Sequence, residues 1–255
     1  MPKKLIIFLL FPLLFIFSCR IEYKADTVYT TEQQFNVLDF TKLRLAGNFE
    51  VFYNQSEEPS ILVKAKDEAT LGNITIEHNN NTLYVYCKSD TRSSSTTTIN
   101  NRRVNINTSD RYMLFVSSPN LENIEQAGVS TINFDDGTEL SKLYIDTAGV
   151  ATLNMNEVNI GSFTLETAGS ITANLSGFAE NFTIETAGSA RIDAQNFICD
   201  NVEIETAGYA RVQITALNRL NVDTAGSGRV NYWGDPVVRQ SIAGSGRVQK
   251  MGRAE

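Results

Sequence analysis

One dipeptide returns along this chain at an almost constant distance. Ala-Gly occurs as Ala127-Gly128, Ala148-Gly149, Ala168-Gly169, Ala187-Gly188, Ala207-Gly208, Ala225-Gly226 and Ala243-Gly244, with glycine intervals of 21, 20, 19, 20, 18 and 18 residues. Such a period marks stacked structural repeats, each of which buries its apolar face only against its neighbours. A stack of near-identical coils predicts a rigid rod carrying ladders of like side chains, which suits presentation and binding better than chemistry.

Aligned on their glycines, the coils give columns that alternate with a period of two, as strands do. Four residues before the glycine stand Ile124, Ile145, Leu165, Ile184, Ile204 and Val222; six before stand Leu143, Phe163, Phe182, Val202 and Leu220. Four residues after it come Ile132, Leu153, Ala173, Ile192, Val212, Val230 and Val248. All three columns are expected to face inward, on two strands joined by a Thr-Ala-Gly corner. Thr147, Thr167, Thr186, Thr206 and Thr224 share that parity and are expected to stack, with Ile242 taking their place in the last coil. About 20 residues per coil leave room for a third strand, so the sequence predicts an all-β chain wound as a three-sided parallel β-helix. Roughly ten coils at about 4.8 Å would make a rod on the order of 50 Å long.

Upstream, Leu43-Arg-Leu-Ala-Gly47-Asn-Phe-Glu-Val51 fits the same template and is expected to start the helix. Ile61 to Ala65, Ile74 to Glu77 and Leu83 to Tyr86 read as further strands, and residues 88–108, rich in Ser, Thr and Asn, as a protruding loop insertion. Tyr112 to Val116 resumes the strands. At the start, Lys3 and Lys4 precede an apolar run from Leu5 to Phe17 that ends in Ser18-Cys19. This is the pattern of an export signal, 1–18, and it resembles a bacterial lipobox, with Cys19 as the lipid-attachment residue. Residues 19–34 read as a tether and 35–255 as the folded domain. Loss of Lys3 and Lys4 with the signal takes the formal net charge from -7 to -9, which speaks against nucleic acid. The membrane is then met through the lipid anchor only. Cys87 and Cys199 read as small hydrophobes inside strands, since positions so far apart in a linear stack should not meet.

The lipoprotein start, the Leu-x-Leu-Ala-Gly-x-Phe-x-Val segment, the Ser-Pro-Asn-Leu-Glu-Asn-Ile link at Ser118–Ile124 and the coils ending in Gly-Ser-Gly-Arg-Val resemble the "putative auto-transporter adhesin, head GIN domain" family of Gram-negative bacteria. The resemblance covers roughly Phe35 to Met251. It implies a single-stranded right-handed parallel β-helix and an adhesin role. The chain departs from the usual coil in placing an acid and Thr before Ala-Gly, and in carrying the 88–108 insertion.

An outward column of acids lies three residues before the glycines: Glu125, Asp146, Glu166, Glu185, Glu205 and Asp223. Like charges at strand spacing repel by about 1 kcal/mol per pair in water. A solvated charged face that blocks side-by-side association explains the column; a calcium ladder, or cover from Arg191, Arg211, Arg229 and Arg247, are the alternatives. No cofactor or metal is expected. His78, the only histidine, has no Ser or Cys partner for a triad. Tyr209 interrupts a column of Val150, Ser170, Ser189, Ser227 and Ser245, Tyr144 stands in a polar column with Thr164 and Thr183, and Trp233 opens the Trp-Gly-Asp-Pro turn; the three are the candidate ligand contacts, because exposed rings stack on sugars. The sequence thus predicts an outer-membrane lipoprotein of the cell envelope, a non-catalytic adhesin-like module contacting a cell-surface glycan or envelope protein. A structural or assembly component of the envelope is the alternative, and a carbohydrate-active enzyme on the same scaffold the third reading.

Overall fold

The structure is a computed structural model that describes residues 28–88, 95–99 and 102–254. The export signal, Cys19 and the first part of the tether lie outside the described residues. The fold is all-β, with a mixed ten-stranded sheet and one short helix. Its strands are β1 (Thr31–Asn36), β2 (Lys42–Gln55), β3 (Ser60–Ala65), β4 (Ile74–Asn79), β5 (Thr82–Cys87), β6 (Ser95–Ile99), β7 (Arg102–Ile106), β8 (Tyr112–Ser118), β9 (Asn123–Phe134), β10 (Glu139–Trp233), β11 (Val237–Gly244) and β12 (Arg247–Gly252). The helix α1 (Glu68–Leu71) starts at Asp67, whose carboxylate accepts from the Thr70 N–H.

β10 holds 95 residues of extended backbone. Laid straight it would reach about 310 Å at ~3.3 Å per residue, yet it repeatedly meets itself one repeat on. The Thr147 hydroxyl donates to Thr167 (3.2 Å), and the Asn174 amide donates to Asn154 (2.9 Å). Its ends pair in parallel with the neighbouring repeats: Gly149 faces Gly128 of β9, and Gly226 faces Gly244 of β11. Gly169 shows why the corner demands glycine. Its φ is +140°, and a Cβ there would lie 2.2 Å from the Gly149 carbonyl oxygen. Both the backbone angle and the approach of the next corner exclude a side chain.

The inward columns are buried as expected through Val230, at 3 % exposure or less for Ile124, Ile145, Leu165, Ile184, Ile204 and Val222, but in the last repeat Val248 is only partly buried and Ile242 is 37 % exposed, because no further repeat covers them. Phe163 and Phe182 stack with centroids 4.7 Å apart, and Phe197 meets both edge-on. The five threonines are buried in a row, and Gln126 occupies their position in β9 with neither side-chain amide atom hydrogen-bonded. Cys87 and Cys199 are free and buried; burial pushes the Cys87 thiol up to about 12.

The N-terminal region differs from a simple succession of coils. The sheet order is β1-β3-β8-β2-β9-β10-β11. β2 lies between β9 on one side and β5 with β8 on the other, all parallel to it. β5 and β8 together flank β2 as one coil, interrupted by the insertion. Ile61 to Ala65 and Ile74 to Glu77 are strands as expected, but they run antiparallel to their partners: β3 against β8 and β4 against β5. β1 then covers β3, so these strands cap the open edge that a parallel stack leaves at its end. Thr31 to Gln34, expected as tether, belong to this cap, because Phe35 and Val37 anchor the segment on the core. The insertion's described residues form the β6–β7 hairpin, which does not simply protrude: Ile106 and Val104 pack on Tyr84, Tyr86 and Ala46. At the other end β11 and β12 are largely exposed.

Candidate functional site

Two outward faces emerge from the column geometry. The first follows the acid column. In register it begins with Tyr84 of β5 and Arg44 of β2 and continues through Glu125 and Asp146. Arg44 pairs with Glu125 at 2.5 Å and sits 5.7 Å from the Tyr84 ring centroid; its hydrogen bond to Glu125 raises its pKa. Asp146, Glu166, Glu185, Glu205 and Asp223 then line a cleft of about 430 Å³ floored by the corner residues. Among the described residues Arg191, Arg211, Arg229 and Arg247 make no ion pair with this column, so beyond the Arg44–Glu125 pair its carboxylates are not neutralised by these arginines. Burial, with Glu166 and Glu125 nearby, raises the Asp146 pKa; burial, with Glu166, Glu205 and Glu203, raises that of Glu185. Among the described residues no three His, Cys, Asp or Glu side chains converge as ligands for one metal ion.

The second face lies on the strand that follows the corner, five residues past each glycine. Phe52 stacks on Phe115 (5.1 Å, 15°), and the Lys64 ammonium lies 5.4 Å from the Phe115 centroid. Phe52 is in register with Asn133, and Asn133 with Asn154. From there the amides form a ladder: Asn154 donates to Asn133 (2.8 Å) and Asn174 to Asn154 (2.9 Å). Beside it, Ser176 donates to Asn156 (2.8 Å). These residues line a cleft of about 520 Å³ that reaches Asn196, where a second cleft of about 470 Å³ continues past Gln195 and Thr215 to Trp233 and Met251.

The three aromatic candidates are not brought together. Tyr144 is half-buried beside the acid column; burial first and the nearby Glu166 second raise its pKa. Tyr209 is 47 % exposed in the column of Val129 and Val150, which are also exposed. Trp233 alone lies in a cleft, the amide-lined one. Reading outward columns by charge and aromaticity missed the amide ladder, although Asn133, Asn154 and Asn174 recur at the same distance after Gly128, Gly149 and Gly169. No helix among the described residues is long and apolar enough to cross a membrane.

Among curated proteins none matches the chain. Solved structures share its fold, three of them as follows. One, from Parabacteroides distasonis ATCC 8503, is named a "putative lipid binding protein": 21 % identity, TM-score 0.69, covering 87 % of this chain and 96 % of that one. A "putative adhesin" from Bacteroides fragilis NCTC 9343 has 18 % identity and TM-score 0.71 over the same shares. A "putative adhesin" from Parabacteroides merdae ATCC 43184 has 19 % identity and TM-score 0.62, covering 87 % and 95 %. At these identities the likeness concerns the fold. Residues 39–236 match the family model for the "putative auto-transporter adhesin, head GIN domain", and the chain belongs to that family.

Proposed function

We propose that this protein is a non-catalytic, adhesin-like binding module of the cell envelope, wound as a right-handed parallel β-helix, anchored to the outer membrane through a lipid on Cys19, and contacting glycan or protein along its length. The observation that carries this reading is the continuity of its outward faces, since the clefts run across successive coils and stay open along their length. An extended ligand can engage such a surface at many equivalent points. The acids stand in one column, whereas glycoside cleavage needs two carboxyl groups placed on opposite sides of the scissile bond. The lipid-binding name of the Parabacteroides distasonis relative is less apt here, because the Phe163, Phe182 and Phe197 stack fills the interior.

The test has two arms. Protease treatment of intact cells should remove the folded domain if it faces outward, and leave it intact if it faces the periplasm. Pull-down of the domain on cell-wall material and glycan arrays should show retention, and the alanine variants of Tyr144, Tyr209 and Trp233 should sort the candidate contacts. Cross-linking in cells to one dedicated envelope protein, with no retention on any glycan, would support the assembly role instead; the exposed last coil is where such a partner would dock.

A further inference from the structure

Resting on the binding-module reading, we infer that the groove from Phe52 to Trp233 holds a linear, uncharged polysaccharide laid along the stack. A primary amide offers two N–H donors and two carbonyl lone pairs. In the ladder Asn154 spends one N–H on Asn133 and one lone pair on Asn174. Asn154, the inner rung, therefore keeps one donor and one acceptor for a ligand. The bonds along the ladder fix the amide planes in advance, so binding has little side-chain freedom left to remove. The rungs recur at ~4.8 Å, close to the length of one pyranose unit. A sugar chain lying across these three repeats would thus meet amides at about one-ring spacing.

Aromatic surfaces flank this polar run at both ends, Phe52 stacked on Phe115 and Trp233 in the far cleft. Trp233 lies against Gly252, where a Cβ would sit 3.2 Å from its Cδ1. Flat rings at the ends and hydrogen-bonding amides between them match a sugar's apolar ring faces and its equatorial hydroxyls. Charge selects the polymer class. The first cleft of this groove carries one acid, Asp193, while five acids line the cleft beside the corner. With a net charge of -7 the chain repels polyanions, and a basic partner would favour the acid cleft.

The experiment is isothermal titration of the folded domain with uncharged gluco- and manno-oligosaccharides of increasing length, and with polyuronate as the charged control. Affinity should rise with each added sugar across the first several units, change little with salt, and be absent for polyuronate. Asn174→Ala and Trp233→Ala should each weaken it about ten-fold, and Asn174→Trp, which fills the groove from an exposed position, should abolish it. Glu166→Gln should leave it unchanged, and circular dichroism should show all variants folded. Failure of every uncharged oligosaccharide to bind, an affinity independent of length, or full affinity in Asn174→Trp would overturn the groove assignment. Retention of a protein or glycan by Asn174→Trp would overturn it too, while leaving the adhesin-like reading standing.

Discussion

The cap made by β1, β3, β4 and α1 and the run of repeats in β10 share one continuous core but hold together on different terms. In the repeats each residue meets its own kind about 20 positions away, as Thr147 meets Thr167 and Asn154 meets Asn174. In the cap the partners are unlike and distant: Leu62 faces Phe115, Lys64 faces Met113, and Tyr112 donates to the Thr70 carbonyl (2.9 Å). Repetition supplies stability coil by coil, whereas the cap has a single solution assembled from large aromatic side chains.

That contrast can be broken most forcefully at Phe182. Phe182→Ala removes the centre of the phenylalanine stack and is expected to cost about 3–5 kcal/mol. In urea titration the loss should centre on the repeats, and hydrogen exchange should rise there before it does in the cap. Gly188→Ala comes next. It places a Cβ 2.2 Å from the Gly169 carbonyl oxygen at a φ of +137°, so about 3 kcal/mol or more is expected. Gly137→Ala, at φ +76° with open space around it, should cost only ~1 kcal/mol; equal losses at the two glycines would mean that corner stacking is not what demands glycine.

The cap is tested by Phe35→Ser, which should loosen β1 from the core and bare the β3 edge. The expected readout is concentration-dependent association by analytical ultracentrifugation, with the melting temperature lowered modestly. The smallest effect belongs to the acid column. Folding raises the pKa of Asp146 above its ordinary value of 3.8, so the folded chain holds its proton more tightly than the unfolded chain. The column therefore carries no penalty below that ordinary value, and stability falls as the pH rises through the raised one. Asp146→Asn should stabilise the protein at pH 7 by a few tenths of a kcal/mol after solvent screening. The gain should vanish in acid and shrink in high salt.

The repeat columns were legible because their signal is local and recurrent: every corner restates the same Thr-Ala-Gly and the same inward Ile or Leu. The cap was not, because nothing within β3 or β4 states that its neighbour is antiparallel. That depends on β8 and β5 arriving beside β2, and pairing over such separations leaves no period to read. At the site, the acid column stood out by its charge, and its exposure to like charges followed. Trp233 stood out as the ring that opens the Trp-Gly-Asp-Pro turn, and it lines a cleft, whereas Tyr144 lies beside the acid column. The asparagines were passed over because neutral polar residues on an outward column carry no distinguishing mark until hydrogen bonds join them.

The position of β2 also bears on how the chain comes together. Gly47 waits for Gly128, which is made 81 residues later, whereas each corner of β10 finds its partner after one repeat. Closing a loop four times longer adds about 1.2 kcal/mol of entropic cost. The repeats of β10 can therefore zip up by local contacts, while β2, made early, is among the last strands to gain both neighbours. A chain stopped before residue 123 would leave one side of β2 unpaired, an edge open to pairing with another chain.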